Sequence, residues 1–129
     1  MRVLLDTNAL IDRSFVRELD TYRDKLEIFI SSITYLEFMI KAYRRGRDAE
    51  ARSLIRASGI KVCDFDKVSA ELCALETHML LDFKKKARDY MMGAVAKTNN
   101  CKLITYNKKD FTWMKEDVLE PEELLKLLR

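Results

Sequence analysis

The stretch Val3-Leu4-Leu5-Asp6-Thr7-Asn8 decides the fold. Three unbroken apolar residues mark a short strand covered on both faces, as strands of a parallel sheet are. The acid that closes the run then stands at the strand's C-terminal end, where ligand sites gather in open α/β sheets. An acid there has a second use, as the cap of a following helix.

Working outward, Leu26–Ile30, Ile60–Phe65 and Lys102–Thr105 read as further strands, and Val118–Leu119 as a fifth. Helical patterns lie between them. Ser31 or Ser32 caps a helix that runs to about Arg45 and closes near Gly46. A charged helix over roughly 47–57 ends at Gly59. A long helix is expected from about Asp66 to Phe83, with Val68, Leu72, Leu75 and Met79 at helical spacing. Another starts near Lys86 and stops at Asn99-Asn100, and a last one begins at Pro121. Alternating strands and helices predict a three-layer α/β/α architecture around a largely parallel sheet. At 129 residues the chain suits one domain spanning 1–129.

Composition narrows the class. With 48% hydrophobic and 35% charged residues the chain can fill a core and cover it, which excludes a disordered segment. A net charge of +3 is too mild to identify a nucleic-acid partner. Cys63, Cys73 and Cys101 form no CxxC pair, and with one histidine they make no zinc set. They read as reduced, apolar residues of a cytoplasmic protein. The apolar run before Asp6 is too short for a signal peptide, and no stretch is long enough to span a membrane.

Carboxylates that interrupt apolar patterns carry the chemistry. Glu37 lies on a stripe formed by Ile33, Leu36, Ile40 and Tyr43, which reads as the core-facing side of its helix. A glutamate there requires a metal ion, a basic partner such as an Arg, or an outlet to solvent. Asp89 sits in the first turn of a helix that is apolar almost all round, where the dipole favours an anion and Arg88 or Lys86 can pair with it. Gly93, one turn on, leaves room for close packing. Thr105, Asn107 and Asp110 follow the fourth strand, as an ordinary turn or as part of a site. Strand ends of such a sheet converge, so these groups are expected together. Clustered hard oxygen donors without Cys or His suit Mg²⁺ or Mn²⁺.

Four segments in order resemble the PIN domain, most closely the small ribonucleases of the VapC toxin type. They are Leu4-Leu5-Asp6-Thr7-Asn8, Ser32-Ile33-Thr34-Tyr35-Leu36-Glu37, Ala87-Arg88-Asp89-Tyr90-Met91-Met92-Gly93-Ala94, and Leu103-Ile104-Thr105-Tyr106-Asn107 with Lys109-Asp110-Phe111. The resemblance implies metal-dependent hydrolysis of RNA phosphodiesters to a 5′-phosphate and a 3′-hydroxyl. Carried over by position, Asp6, Glu37 and Asp89 are the acids that hold Mg²⁺ or Mn²⁺. Asn8 supports the first acid, and Thr105 is the hydroxyl residue after the fourth strand. Where the family often has a fourth acid this chain has Asn107, and Asp110, three residues later, is the substitute. The resemblance further implies a homodimer and a small antitoxin as partner.

Lys86, Arg88, Lys108 and Lys109 flank these segments and are candidates for the RNA backbone. Tyr90 and Trp113 read as core, and His78 as a surface residue. Two other readings of the whole chain remain: a non-catalytic RNA- or protein-binding module, and an RNA-processing nuclease without an antitoxin.

Overall fold

A computed structural model describes residues 1–129. Five strands, β1 (Arg2–Leu5), β2 (Glu27–Ser31), β3 (Lys61–Cys63), β4 (Lys102–Ile104) and β5 (Val118–Leu119), form one sheet. All neighbours are parallel, in the order β3-β2-β1-β4-β5. β1 is therefore central, and the chain leaves it first toward β2 and later returns on its other side as β4. That reversal creates a topological switch point between β1 and β4.

Strand alternation sends β1 side chains into two cores. Val3 and Leu5 join Phe15, Leu19, Ile55 and Leu124 on one face. Leu4 joins Met92, Val95, Phe111 and Met114 on the other. The first layer is built by α1 (Thr7–Leu10), α2 (Arg13–Asp20), α4 (Asp48–Ser58) and α7 (Pro121–Leu128), with Tyr35 and Phe38 of α3 (Ser32–Arg44) packed against it. The opposite layer is α6 (Phe83–Thr98) and a 3₁₀ segment over Lys108–Asp117, with α5 (Lys67–Thr77) outside α6. The expected three-layer α/β/α fold is thus present. No helix is long and apolar enough to cross a membrane. Cys63, Cys73 and Cys101 are buried free thiols.

The ends of several elements obey local chemistry. Ser31 is the cap of α3, its hydroxyl accepting from the Thr34 amide. Gly59 closes α4 at φ +74°, a left-handed conformation that costs glycine little. Pro121 occupies the first turn of α7 behind a capping box of Glu120 and Glu123.

Three expectations need correction. The helix expected over 66–83 ends at Thr77, and Val68, Leu75 and Met79 face outward. Its inner face is the small-residue row Ser69, Cys73 and Thr77, which lets α5 pack on Tyr90 and Ala94 of α6. On α3 the stripe Leu36, Ile40, Tyr43 is likewise the exposed side, while Thr34, Met39 and Ala42 are buried. Apolar spacing located the helix but not the side that packs, because small and polar residues form the closer contact. Finally, α6 begins at Phe83 yet breaks at Lys86 (φ −119°, ψ 19°), so its regular part starts at Ala87. The helices α1 and α2 and the 3₁₀ segment had not been assigned from the sequence.

Gly93 is buried where α6 meets the 3₁₀ segment. A Cβ there would lie 2.2 Å from the Trp113 ring and 3.1 Å from Met114 Sδ. Gly93→Ala should overpack this contact and lower unfolding free energy by about 1–3 kcal/mol in urea titration. An unchanged midpoint would show that the Trp113 ring moves aside without cost.

Candidate functional site

The C-terminal ends of β1 and β4 are tied together by the Asp6 amide, which donates to the Ile104 carbonyl at 2.9 Å. Asp6 is 2% exposed, so its carboxylate has been taken out of water. Both its oxygens are engaged. Oδ1 accepts from the Thr7 amide at 2.7 Å, which makes Asp6 the cap of α1, and from Arg88 Nη2 at 2.7 Å. Oδ2 accepts from the Thr105 hydroxyl at 2.8 Å. The helix-cap reading and the site reading of Asp6 therefore both hold geometrically.

Thr105 is fully buried, and its hydroxyl is oriented from behind. Asn8 Nδ2 donates to it at 3.3 Å and the Asn107 amide at 3.0 Å, which leaves its own proton for Asp6. Asn8 Oδ1 meanwhile accepts from the Tyr106 amide at 3.2 Å, and the Tyr106 hydroxyl bonds to Asp12, the cap of α2. Asn8 thus supports Asp6 through Thr105 and does not touch it. Asn107 contributes its backbone, and its side chain is exposed.

Arg88 is the centre of the cluster. Its Nε donates to Glu37 Oε2 at 2.8 Å and its Nη2 to Glu37 Oε1 at 2.9 Å, a two-point fork. Nη2 also reaches Thr7 Oγ1 at 3.2 Å, and Nη1 reaches Asp89 Oδ1 at 3.1 Å. Three acids from three separate segments, Asp6, Glu37 and Asp89, converge with the Thr105 hydroxyl of a fourth, and a guanidinium stands among them. The Arg partners considered for Glu37 and Asp89 are one residue. Of the two sequence readings of Arg88, a partner of Asp89 and a contact for the RNA backbone, the side chain here adopts the first. The Thr7 hydroxyl bonds to Glu37, and Thr34 Oγ1 lies 3.2 Å from it. Thr7 and Thr34 had not been singled out, although Thr34 precedes Glu37 by three residues on α3 and so shares its side of the helix.

The surroundings treat the acids unequally. The Arg88 hydrogen bonds hold Glu37 below the usual glutamate range, against its partial burial and with help from Thr7. Burial pushes Asp89 up; Arg88 offsets this only in part, and the charges of Asp110 and Asp6 add to the rise. Asp110, on the 3₁₀ segment, is thus close enough for its charge to act on Asp89. The Glu37 bonds raise the pKa of Arg88, which stays charged. Of the other basic candidates, Lys108 turns away to Glu123 at 2.9 Å, Lys109 is exposed, and Lys86 is half-buried at the break in α6.

Donor chemistry suits a divalent cation, since every group turned inward is a hard oxygen apart from the guanidinium. As the side chains stand, no three acids, cysteines or histidines are grouped so as to hold one. Arg88 fills the space the acids share.

Two outcomes follow. Thr105→Val keeps the shape but removes the proton held by Asp6 and strands the Asn8 and Asn107 donors, so stability should fall by about 1–3 kcal/mol in denaturant melts. A loss within error would deny the hydroxyl this role. In metal-free buffer at pH 7, Glu37→Gln should lower stability by about 1 kcal/mol, a figure reduced for the partial exposure of Glu37. Because the folded pKa is depressed, this contribution is complete above the ordinary glutamate value of 4.5 and fades as pH falls through the folded value. Asp89 has the opposite sign: Asp89→Asn should leave stability at pH 7 unchanged or higher. Equal losses from both variants would contradict these environments.

The chain matches the PIN domain over residues 3–115. No curated protein matches it in sequence. Among solved structures, it is similar to a chain of a toxin–antitoxin complex from Klebsiella pneumoniae, at 28% identity and a TM-score of 0.71, covering 92% of this chain and 97% of that one. A chain of DNA-bound VapBC from Salmonella typhimurium shares the fold at 19% identity and a TM-score of 0.70, covering 94% and 98%. FitAcB from Neisseria gonorrhoeae does so at 20% identity and 0.68, covering 95% and 99%. A family match across this much of the chain, on a parallel sheet that gathers Asp6, Glu37 and Asp89 at its switch point, leaves one assignment: the protein belongs to the PIN domain family.

Proposed function

We propose that the protein is a Mg²⁺- or Mn²⁺-dependent ribonuclease that hydrolyses RNA phosphodiesters, and that it is the toxin of a toxin–antitoxin pair. The observation that carries this reading is the convergence of Asp6, Glu37 and Asp89 beside the Thr105 hydroxyl, at the sheet edge where a PIN-family chain would work. The toxin–antitoxin complex from Klebsiella pneumoniae, similar along nearly its whole chain, supports the partner.

Asp6, Glu37 and Asp89 would hold the cation, with Asp110 a further carboxylate nearby. When bound, such an ion acidifies water and neutralises charge on the phosphate oxygens. The chain's own contribution is placement. Thr105 and the Thr7 amide fix both oxygens of Asp6, so this acid cannot rotate away as the phosphate approaches. Thr7 sets one oxygen of Glu37. Lys86, two residues before Arg88, and exposed Lys109, one before Asp110, would meet RNA phosphates as screened charges. Lys108 joins them only by leaving Glu123, an exposed pair of little strength.

The homodimer belongs to the same reading. The exposed residues Leu36, Ile40 and Tyr43 on α3, with Val68 and Leu75 on α5, offer apolar surface to another chain. Met39 and Met92 are buried and are not part of it.

One specific feature favours the non-catalytic alternative, namely that Arg88 already neutralises part of the acidic cluster. A single assay separates the two. Purified protein is incubated with labelled single-stranded RNA in Mn²⁺, Mg²⁺ or EDTA, beside Asp6→Asn and Asp89→Asn. Cleavage should require metal and fall by about 100-fold or more in both variants, the scale of lost electrostatic stabilisation at a reacting centre. RNA binding without turnover in either metal would support the binding module, and cleavage that survives both substitutions would remove these acids from the chemistry.

A further inference from the structure

We propose that Arg88 is a built-in counter-cation that competes with a divalent cation for Asp6, Glu37 and Asp89, so that the site exchanges between an arginine-bridged state and a cation-bound state. The proposal rests on the metal-dependent reading above and adds a gate to it.

The argument starts from which oxygens are free. Arg88 takes both oxygens of Glu37, Oδ1 of Asp6 and Oδ1 of Asp89. The other Asp6 oxygen is committed to Thr105. While the fork is in place, Glu37 Oε1 also accepts from the Thr7 hydroxyl and Asp6 Oδ1 also accepts from the Thr7 amide, so neither oxygen has a lone pair left and a cation that takes them must displace the guanidinium. The two occupants therefore compete for those two oxygens as well as on charge.

Charge balance makes the exchange favourable to a cation of higher valence. One guanidinium faces three carboxylates, with Asp110 close enough to act on Asp89. The bridged state stays net negative, and a divalent ion balances it better than a monovalent group does.

Geometry supplies a way out. Asp6 lies at the bottom of the cluster, its side chain 3% exposed, while the Arg88 side chain is 37% exposed and forms the lid. Arg88 is two residues past the non-helical Lys86, in the first turn of the regular part of α6. Its long, partly exposed stem can turn to solvent by rotation about side-chain bonds. There it would stand beside Lys84, Lys85 and Lys86, three further positive charges facing any polyanion.

A ligand whose receptive state is scarce binds more weakly by the fraction that is receptive. If the unbridged state is about a tenth of the population or less, removing Arg88 should tighten cation binding at least about tenfold. The test is calorimetric titration of Mn²⁺ into metal-free wild type, Arg88→Met and Arg88→Lys, with folding checked by circular dichroism. Arg88→Met should bind at least about tenfold tighter than wild type, and Arg88→Lys, which keeps the charge but loses the fork, in between. Because Arg88→Met leaves acids uncompensated, a second readout uses wild type alone. In a ¹⁵N-resolved titration with Mg²⁺, the Arg88 Nε–H signal should shift and its exchange with water should quicken as the site fills. Equal or weaker binding by Arg88→Met, or an Arg88 signal unmoved at saturating Mg²⁺, would overturn the competition while leaving the metal site standing. No cation binding by any of the three proteins would overturn the competition and the metal-dependent reading together.

Discussion

A carboxylate at the end of a central, doubly covered strand has to be compensated, and much of the site follows from how Asp6 is. Its burial leaves no water to replace a missing partner, and an uncompensated buried charge costs several kcal/mol. The compensation comes from three directions: the amide of Thr7 one residue on, the hydroxyl of Thr105 from the neighbouring strand, and Arg88 from α6 on the opposite side. Each fixes a different piece of chain. The first starts α1, the second locks the turn after β4, and the third draws the start of regular α6 over the sheet edge. The site is therefore continuous with the fold.

The same constraint explains why the loop after β4 is polar yet well anchored. Thr105 can give its proton to Asp6 only if other donors occupy its lone pairs, and Asn8 and the Asn107 amide do so. Asn8 can reach Thr105 because parallel β1 and β4 are neighbours and end at the same height, Leu5 opposite Ile104. The Tyr106 bonds to Asn8 and Asp12 then close the loop onto α1 and α2.

Residue patterns made the strands and the identity of the acids legible, because both depend on local composition. Asp6 stands at an expected strand end, Asp89 in the first turn of an expected helix, and Glu37 inside one. The apolar stripe on which Glu37 lies is exposed at Leu36, Ile40 and Tyr43 rather than core-facing, and Glu37 is half-buried between that side and the packed residues Thr34 and Phe38. Periodicity shows that a helix has an apolar side but not which neighbour it meets, and here small residues make the tighter contacts on both α3 and α5. The role of Arg88 was illegible for a different reason. Neighbours along a helix point about 100° apart, so a pairing of Arg88 with Asp89 gives no sign that the same guanidinium also serves Glu37 and Asp6. The length of the arginine stem is what lets Arg88 reach Glu37 and Asp6 as well as its neighbour Asp89.

The unequal treatment of the acids shows what the bridged arrangement does and does not satisfy. Glu37 receives the two-point fork and gains the most from the guanidinium, while Asp89 receives one longer bond from the remaining nitrogen. A planar group has its donors at fixed angles, so once the fork is spent on Glu37 the third carboxylate is met poorly. Burial and the nearby charges of Asp110 and Asp6 then outweigh that bond at Asp89. A spherical ion has no such directional limit on the carboxylates around it. The electrostatic deficit of the bridged site is therefore concentrated on Asp89, the acid lying on the same helical turn as the arginine that fails to satisfy it.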